Sequence, residues 1–189
     1  MAERGSLTVY TLGHSTRPIA EFGELLAEAA IELLVDVRAI PRSRTNPQFN
    51  REALPAALRV RGIGYEHLAA LGGRRRRPAG AGPSPNTFWR NESFRNYADY
   101  AATDLFKAGL GELEARAQRE RCAIMCSETL WWRCHRRIIS DYLIADGFQV
   151  LHILGPHKRD PAVLTPNAER LADGTLRYRA GAGADPGNS

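Results

Sequence analysis

Cys126-Ser-Glu128 closes the most apolar strand-like run of the chain, and Cys134-His135-Arg136 follows at the start of the next segment. Two thiols, a carboxylate, an imidazole and several guanidinium groups therefore gather around one strand-to-helix turn. Thiolates are nucleophiles and redox centres, imidazoles and carboxylates move protons, and guanidinium groups clamp anions. In open α/β sheets, ligands bind in the crevice beyond the carboxyl ends of the strands. The cluster lies where chemistry would be expected.

Other strand ends would meet it there. With a parallel sheet, the first strand brings Gly13, His14 and Ser15 to the rim, the second Asp36 and Arg38, and the fourth Cys126 and Glu128. Period-two alternation puts Asp36 and Arg38 on one side of their strand, and Cys126 and Glu128 likewise. The following helix is expected to open with Arg133, Cys134, His135 and Arg136. Its first-turn N–H groups would favour an anion and lower a thiol pKa. Taken singly, Cys126 and Cys134 read as small buried hydrophobes, and His135 as part of a stripe with Ile138, Ile139 and Tyr142. Taken together, charges at strand ends need partners, and opposite charges supplied side by side point to a site.

The roles follow from residue type. Cys126 is the candidate nucleophile or redox centre, preferred to Cys122, which enters the same strand at the far rim. His14, Glu128 and His135 are acid/base or orienting groups, and Asp36 would fix Arg38 or a histidine. Ser15, Arg38, Arg44, Arg133, Cys134 and Arg136 would hold the ligand. Cys126 to Arg133 has the rough layout of a phosphatase loop, but the intervening stretch is one residue too long and has no glycine. A metal could draw on Cys126, Cys134, His135 and His14, yet there is no CxxC or HxxxH pair, so no metal site is expected. Arg74 to Arg95 is basic and interleaved with Phe88, Trp89 and Phe94. That suits a single-stranded nucleic acid, with Trp89 stacking on a base, or else a solvated loop stapled down by Trp89 and Phe94.

The elements that position these groups alternate. Strands are expected over 7–12, 31–38, 65–68, 122–126 and 149–154. Helices are expected from Pro18, from Pro55 to Gly62, over 93–119 with a break at Gly109 or Gly111, and over 132–146. The 93–119 helix would bury Phe94, Tyr97, Ala101, Leu105 and Leu113. Near-continuous apolar strands suit a sheet covered on both faces. The order predicts an α/β fold, a three-layer sandwich with a mainly parallel sheet of about five strands. A small C-terminal extension would carry a hairpin at Asp173-Gly174. Residues 1–179 would form one domain, 72–87 a mobile loop beside the rim and 180–189 a disordered tail.

The chain has 189 residues and a net charge of +5, and only Lys107 and Lys158 are lysines. Arginine excess suits phosphate or carboxylate binding as well as a solvated surface. Three cysteines, no membrane-length apolar run and no signal-peptide core point to a reducing, cytoplasmic setting.

Tyr10-Thr-Leu-Gly-His-Ser15, Asp36-Val-Arg38, Pro41-Arg-Ser-Arg44, Gln48-Phe-Asn50 and Leu71-Gly-Gly73 resemble the family called domain of unknown function 488. So do Trp89-Arg-Asn91, Phe94-Arg-Asn-Tyr97, Cys126-Ser-Glu128, Cys134-His-Arg136 and Val150-Leu-His152-Ile153. The resemblance runs from about residue 8 to 178. It implies a Rossmann-like α/β domain whose motifs converge on one pocket, and no settled reaction. Thr129-Leu-Trp131 departs from the pattern, in which proline often precedes the Trp-Arg. The reading is a cytoplasmic enzyme acting on a phosphate-bearing small molecule, a nucleotide or a nucleic acid. A non-catalytic nucleic-acid-binding module ranks second and a metal-dependent enzyme third. The residues single out no cofactor and no oligomeric state.

Overall fold

Residues 7–181 are described by the computed structural model. They form β1 (Thr8–Gly13), α1 (Ile19–Glu28), β2 (Leu33–Asp36), α2 (Leu54–Arg59), β3 (Gly64–His67), α3 (Glu92–Ala101) and α4 (Asp104–Ala117). Then come β4 (Cys122–Cys126), α5 (Arg136–Ala145), β5 (Gln149–Gly155), β6 (Lys158–Pro161), β7 (Ala168–Arg170) and β8 (Leu176–Tyr178). The main sheet runs β3-β2-β4-β1-β5-β6. Its first five strands are parallel, and β6 is antiparallel to β5. This is a Rossmann-like three-layer α/β sandwich. The sixth strand escapes a sequence reading because Lys158–Pro161 is exposed throughout and has no apolar pattern. A short charged edge of this kind resists further strand pairing.

Alternation along the strands feeds two cores. Tyr10, Leu12, Leu34, Ala123, Met125 and Ile153 meet Phe22, Leu25 and Leu26 of α1 and Leu54 and Leu58 of α2. On the other face Val9, Leu33, Val35, Ile124 and Val150 meet α3, α4 and α5 through Tyr97, Phe106, Leu110, Leu113, Ile138 and Tyr142. Phe22 is fully buried, and its truncation to Ala would cost roughly 3–5 kcal/mol. The neighbouring strands β1 and β4 are thus followed by helices on opposite faces, α1 and α5. That divergence opens a crevice at their carboxyl ends, the topological switch point.

Two expected helices take a different course. The 93–119 helix is broken at Thr103, whose side chain caps α4 by accepting from Phe106 N. Gly109 lies inside α4, where a Cβ would stand 2.7 Å from that of Ala70. Leu105 consequently turns outward, 58% exposed, and Phe106 takes its place in the core. The helix expected from Trp132 begins only at Arg136, because Trp131–Arg133 is a 3-10 turn and Cys134 is extended (φ −124°, ψ 147°). The 72–87 loop is pinned rather than free: Arg75 lies 3.8 Å over the Tyr100 ring and Arg77 pairs with Asp99 at 3.0 Å. The C-terminal hairpin is present as β7 and β8. Most of the expected tail, 182–189, lies outside the described residues, among which no helix is long and apolar enough to cross a membrane.

Candidate functional site

The crevice is closed at its base by backbone contacts. His14 N donates to Cys126 O at 2.9 Å and Ser15 N to Ser127 O at 3.0 Å. Gly13 permits this approach, since a Cβ there would stand 2.0 Å from the Glu128 carbonyl oxygen. Above it lies a cavity of about 600 Å³. The end of β1 supplies His14, Ser15 and Thr16, and the segment after β2 supplies Arg38, Arg42, Ser43, Thr45 and Asn46. Gly73, Arg74, Cys126, Ser127 and His135 complete the wall. Three guanidinium groups and five hydroxyls face this space, and no carboxylate lines it. Arg42 and Arg74 are exposed and pair with no carboxylate among the described residues.

Arg38 is held most firmly. Its Nε and Nη2 grip Asp36 at 2.9 and 2.6 Å, Nη2 also donates to Phe49 O, and Nη1 donates to His14 Nε2 at 3.2 Å. A guanidinium has five N–H groups, so one on Nη1 remains for a ligand. Asp36, fully buried, accepts further from Tyr65 Oη at 2.8 Å and stands behind Arg38 rather than in the wall. In this geometry Asp36 holds the Arg38 guanidinium in place, and its carboxylate hydrogen-bonds to no histidine among the described residues. His14 Nδ1–H donates to Ser15 O at 2.7 Å, because a carbonyl only accepts, and its ring stacks on Phe49. Burial, with the Arg38 charge beside it, lowers its pKa to about 4. Both ring nitrogens are engaged, so His14 orients Arg38.

Across the crevice, the ligating atoms of Cys126, Cys134 and His135 all lie within 4.8 Å of one another. His135 Nε2–H donates to Val37 O at 2.9 Å, and the other ring nitrogen, Nδ1, lies 3.6 Å from Cys134 Sγ. Arg136, 1% exposed, donates from Nε to Cys134 Sγ at 3.3 Å and from Nη2 to Glu128 O. Burial opposes ionisation of Cys134, but the hydrogen bond from Cys126 and the Arg136 charge outweigh it, so its pKa falls to about 6. Cys126, donating to Cys134 and itself buried, is pushed up to about 12. The arginine contact lies on the Cys134 side of the pair and favours ionisation there, whereas the sequence singled out Cys126 over Cys122. Burial raises Cys122 to about 12.

Several expected site residues stand apart. Glu128 is exposed and accepts from Leu130 N at 3.0 Å. With Arg133 and Cys134 it lines a second hollow of about 180 Å³, which shares Gly73, Arg74, Cys126 and His135 with the first. Arg44 lies outside both hollows, and Arg42 takes its place. Arg136 is buried beside Cys134 and lines neither hollow. Trp89 is 5% exposed, stacked on Phe94 with Arg137 over its ring, so it staples the loop and offers no free face to a base. Sequence reasoning missed Arg42, Thr16, Ser43, Thr45 and Asn46, and gave Arg74 no place in the pocket. Their signal was position in the loops directly after β1, β2 and β3.

No curated protein and no solved structure matches the chain significantly. A family model does match, over residues 18–143, which include the Arg38 and Arg42 segment, Gly73, Arg74 and the thiol cluster. The chain belongs to the family described as Domain of unknown function DUF488.

Proposed function

We propose that this protein is an enzyme acting on a phosphate-bearing ligand of nucleotide size. One observation carries the reading: a cavity of about 600 Å³ walled by Arg38, Arg42 and Arg74 with no carboxylate among its lining residues. Asp36 neutralises Arg38 from behind the wall, so its net positive field comes from Arg42 and Arg74, which pair with no carboxylate among the described residues. The free N–H of Arg38, fixed by Asp36 and His14, gives direction to an anionic group, while Arg42 and Arg74 close on it from two loops. Ser15, Ser43, Thr45 and Ser127 supply neutral donors around them. Cys126 and His135 bound the same space, so a ligand held by its phosphate would present its reacting portion to the thiol–imidazole wall. Volume supports a nucleotide-sized ligand, since small-molecule sites run from roughly 300 to 1,000 Å³.

Calorimetric titration with inorganic phosphate and with nucleoside mono- and diphosphates tests the reading. Binding is expected, and Arg42→Ala and Arg74→Ala should each weaken it about 10- to 100-fold, as for hydrogen bonds to charged groups. Turnover of the tightest-binding compound should fall with them. Absence of binding at millimolar concentration, or equal binding of the phosphate-free nucleosides, would overturn it. Tight, strongly salt-dependent binding of single-stranded oligonucleotides with no turnover would transfer the site to a nucleic-acid-binding module.

A further inference from the structure

We propose that Cys126, Cys134 and His135 form a three-ligand site for a zinc-class divalent metal ion, with its fourth position open toward the arginine-lined cavity. Three observations converge on it. The first is spacing. Tetrahedral zinc with bonds near 2.3 Å to sulfur and 2.0–2.1 Å to nitrogen sets ligating S and N atoms roughly 3.6 Å apart. Cys134 Sγ and His135 Nδ1 stand at 3.6 Å, and Cys126 Sγ lies within 4.8 Å of both. Closing the set needs a shift of about an ångström at one side chain.

The second is orientation. Ligating histidines characteristically donate their other N–H to a carbonyl or carboxylate, which fixes the tautomer. His135 does this: Nε2–H is spent on Val37 O, and Nδ1 is turned toward the thiols. Arg136 Nε plays the corresponding part for sulfur, donating to Cys134 Sγ at 3.3 Å, as outer hydrogen bonds to metal thiolates do. The third is access. Cys126 and His135 line both hollows, so an ion between them would sit where the two spaces join. Gly73 keeps that place clear, since a Cβ on it would stand 2.9 Å from Nδ1 itself.

The absence of a CxxC or HxxxH pair told against a metal only because such motifs place ligands on one local turn. Here one ligand leaves the end of β4 and the other two arrive from the turn into α5. Two thiolates, one imidazole and an open position make a catalytic rather than a structural set, and sulfur with imidazole selects zinc over magnesium or calcium. An anionic group on the fourth position would leave the centre with one negative charge, matched by buried Arg136. The ion would thus polarise the ligand that the arginines position, although its binding does not depend on that reading.

Protein purified without chelator is expected to contain about one zinc per chain by elemental analysis, as a single closed ligand set requires. Replacement by cobalt should give the intense visible bands of a tetrahedral site and a thiolate-to-metal charge-transfer band. Cys134→Ser and His135→Ala should abolish both while circular dichroism shows the fold retained. Gly73→Ala should weaken metal retention without removing a ligand. Arg42→Ala should keep the metal while phosphate binding weakens about 10- to 100-fold, so failure of the anion reading with metal retained is recognisable. Wild-type protein that retains no zinc and develops no cobalt spectrum overturns the site. So does an intact mass showing an oxidised Cys126–Cys134 pair in freshly isolated protein, which would make the thiols a redox couple.

Discussion

Two carboxylates are buried among the described residues, and they have opposite fates. Asp36, at the end of β2, is gripped by the Arg38 guanidinium and accepts further from the Arg38 backbone N–H and Tyr65 Oη. Asp141, on α5, accepts from Thr165 N at 2.8 Å and Tyr178 Oη at 3.0 Å, and ties the C-terminal hairpin to the body without an ion pair. Burial therefore raises its pKa to about 6. The Asp141 cluster closes on itself. The Asp36 cluster ends in a guanidinium with one N–H left over, on the wall of a cavity. A buried charge alone does not mark a site; a buried charge that fixes a donor in an open wall does.

The largest test of this contrast removes each charge in turn. Asp36→Asn leaves the Arg38 guanidinium buried without its counter-charge, which costs about 3–5 kcal/mol in comparable pairs. Asp141→Asn keeps an acceptor for Thr165 and a partner for Tyr178, and should cost about 1 kcal/mol. Denaturant unfolding of the two variants at neutral pH measures both. Equal losses would mean that Arg38 finds another partner, and the distinction between the clusters would fail.

Acid should sharpen the same comparison, with a smaller effect. His14 and His152 are buried neutral, each with its pKa lowered to about 4, burial being the main cause. Their contribution is complete above the unfolded value near 6.5 and is lost as pH falls toward 4. Asp141 works the other way: its folded pKa of about 6 lies above the unfolded value, so its contribution grows as pH falls from about 6 to 4. In the native protein these terms oppose each other. Asp141→Asn removes the compensating one, so its stability deficit against wild type should widen by roughly 1–3 kcal/mol between pH 6 and 4. Parallel pH profiles would show that Asp141 does not titrate in the fold.

Much of this was legible in the residues. Hydrophobic runs located the five parallel strands, and strand-end placement brought His14, Arg38, Cys126 and His135 to one rim before any coordinate. The pairing of Asp36 with Arg38 followed from alternation. What escaped depended on loop conformation or on burial from a distance. Arg42 and Arg44 are equivalent by composition, and only the course of the chain between Pro41 and Phe49 decides which meets the cavity. Arg136 looks like a ligand-binding arginine, yet the 3-10 turn before α5 directs it beside Cys134. The break at Thr103 did carry a signal, a capping threonine followed by an acidic first turn, but the glycines further on were the louder one.

The finest test compares two glycines, one in each region. Gly174, in the turn between β7 and β8, has φ +81° and open space around its missing side chain. Gly174→Ala should cost about 1 kcal/mol, the penalty for an L side chain in the left-handed region, and should leave phosphate binding unchanged. Gly13 needs no unusual backbone angle, but its added Cβ would meet the backbone of Glu128 and Thr129, which cannot swing aside as a side chain would. Gly13→Ala should therefore cost about 1–3 kcal/mol as an overpacked contact. It should also push the 126–129 segment away from β1, which carries Cys126 and Ser127 out of the cavity wall. Thermal unfolding and phosphate titration on the same two variants separate the regions. If Gly13→Ala binds phosphate as wild type does, the anion grip resides in the arginine loops alone, and the close joint between β1 and β4 serves the fold rather than the site.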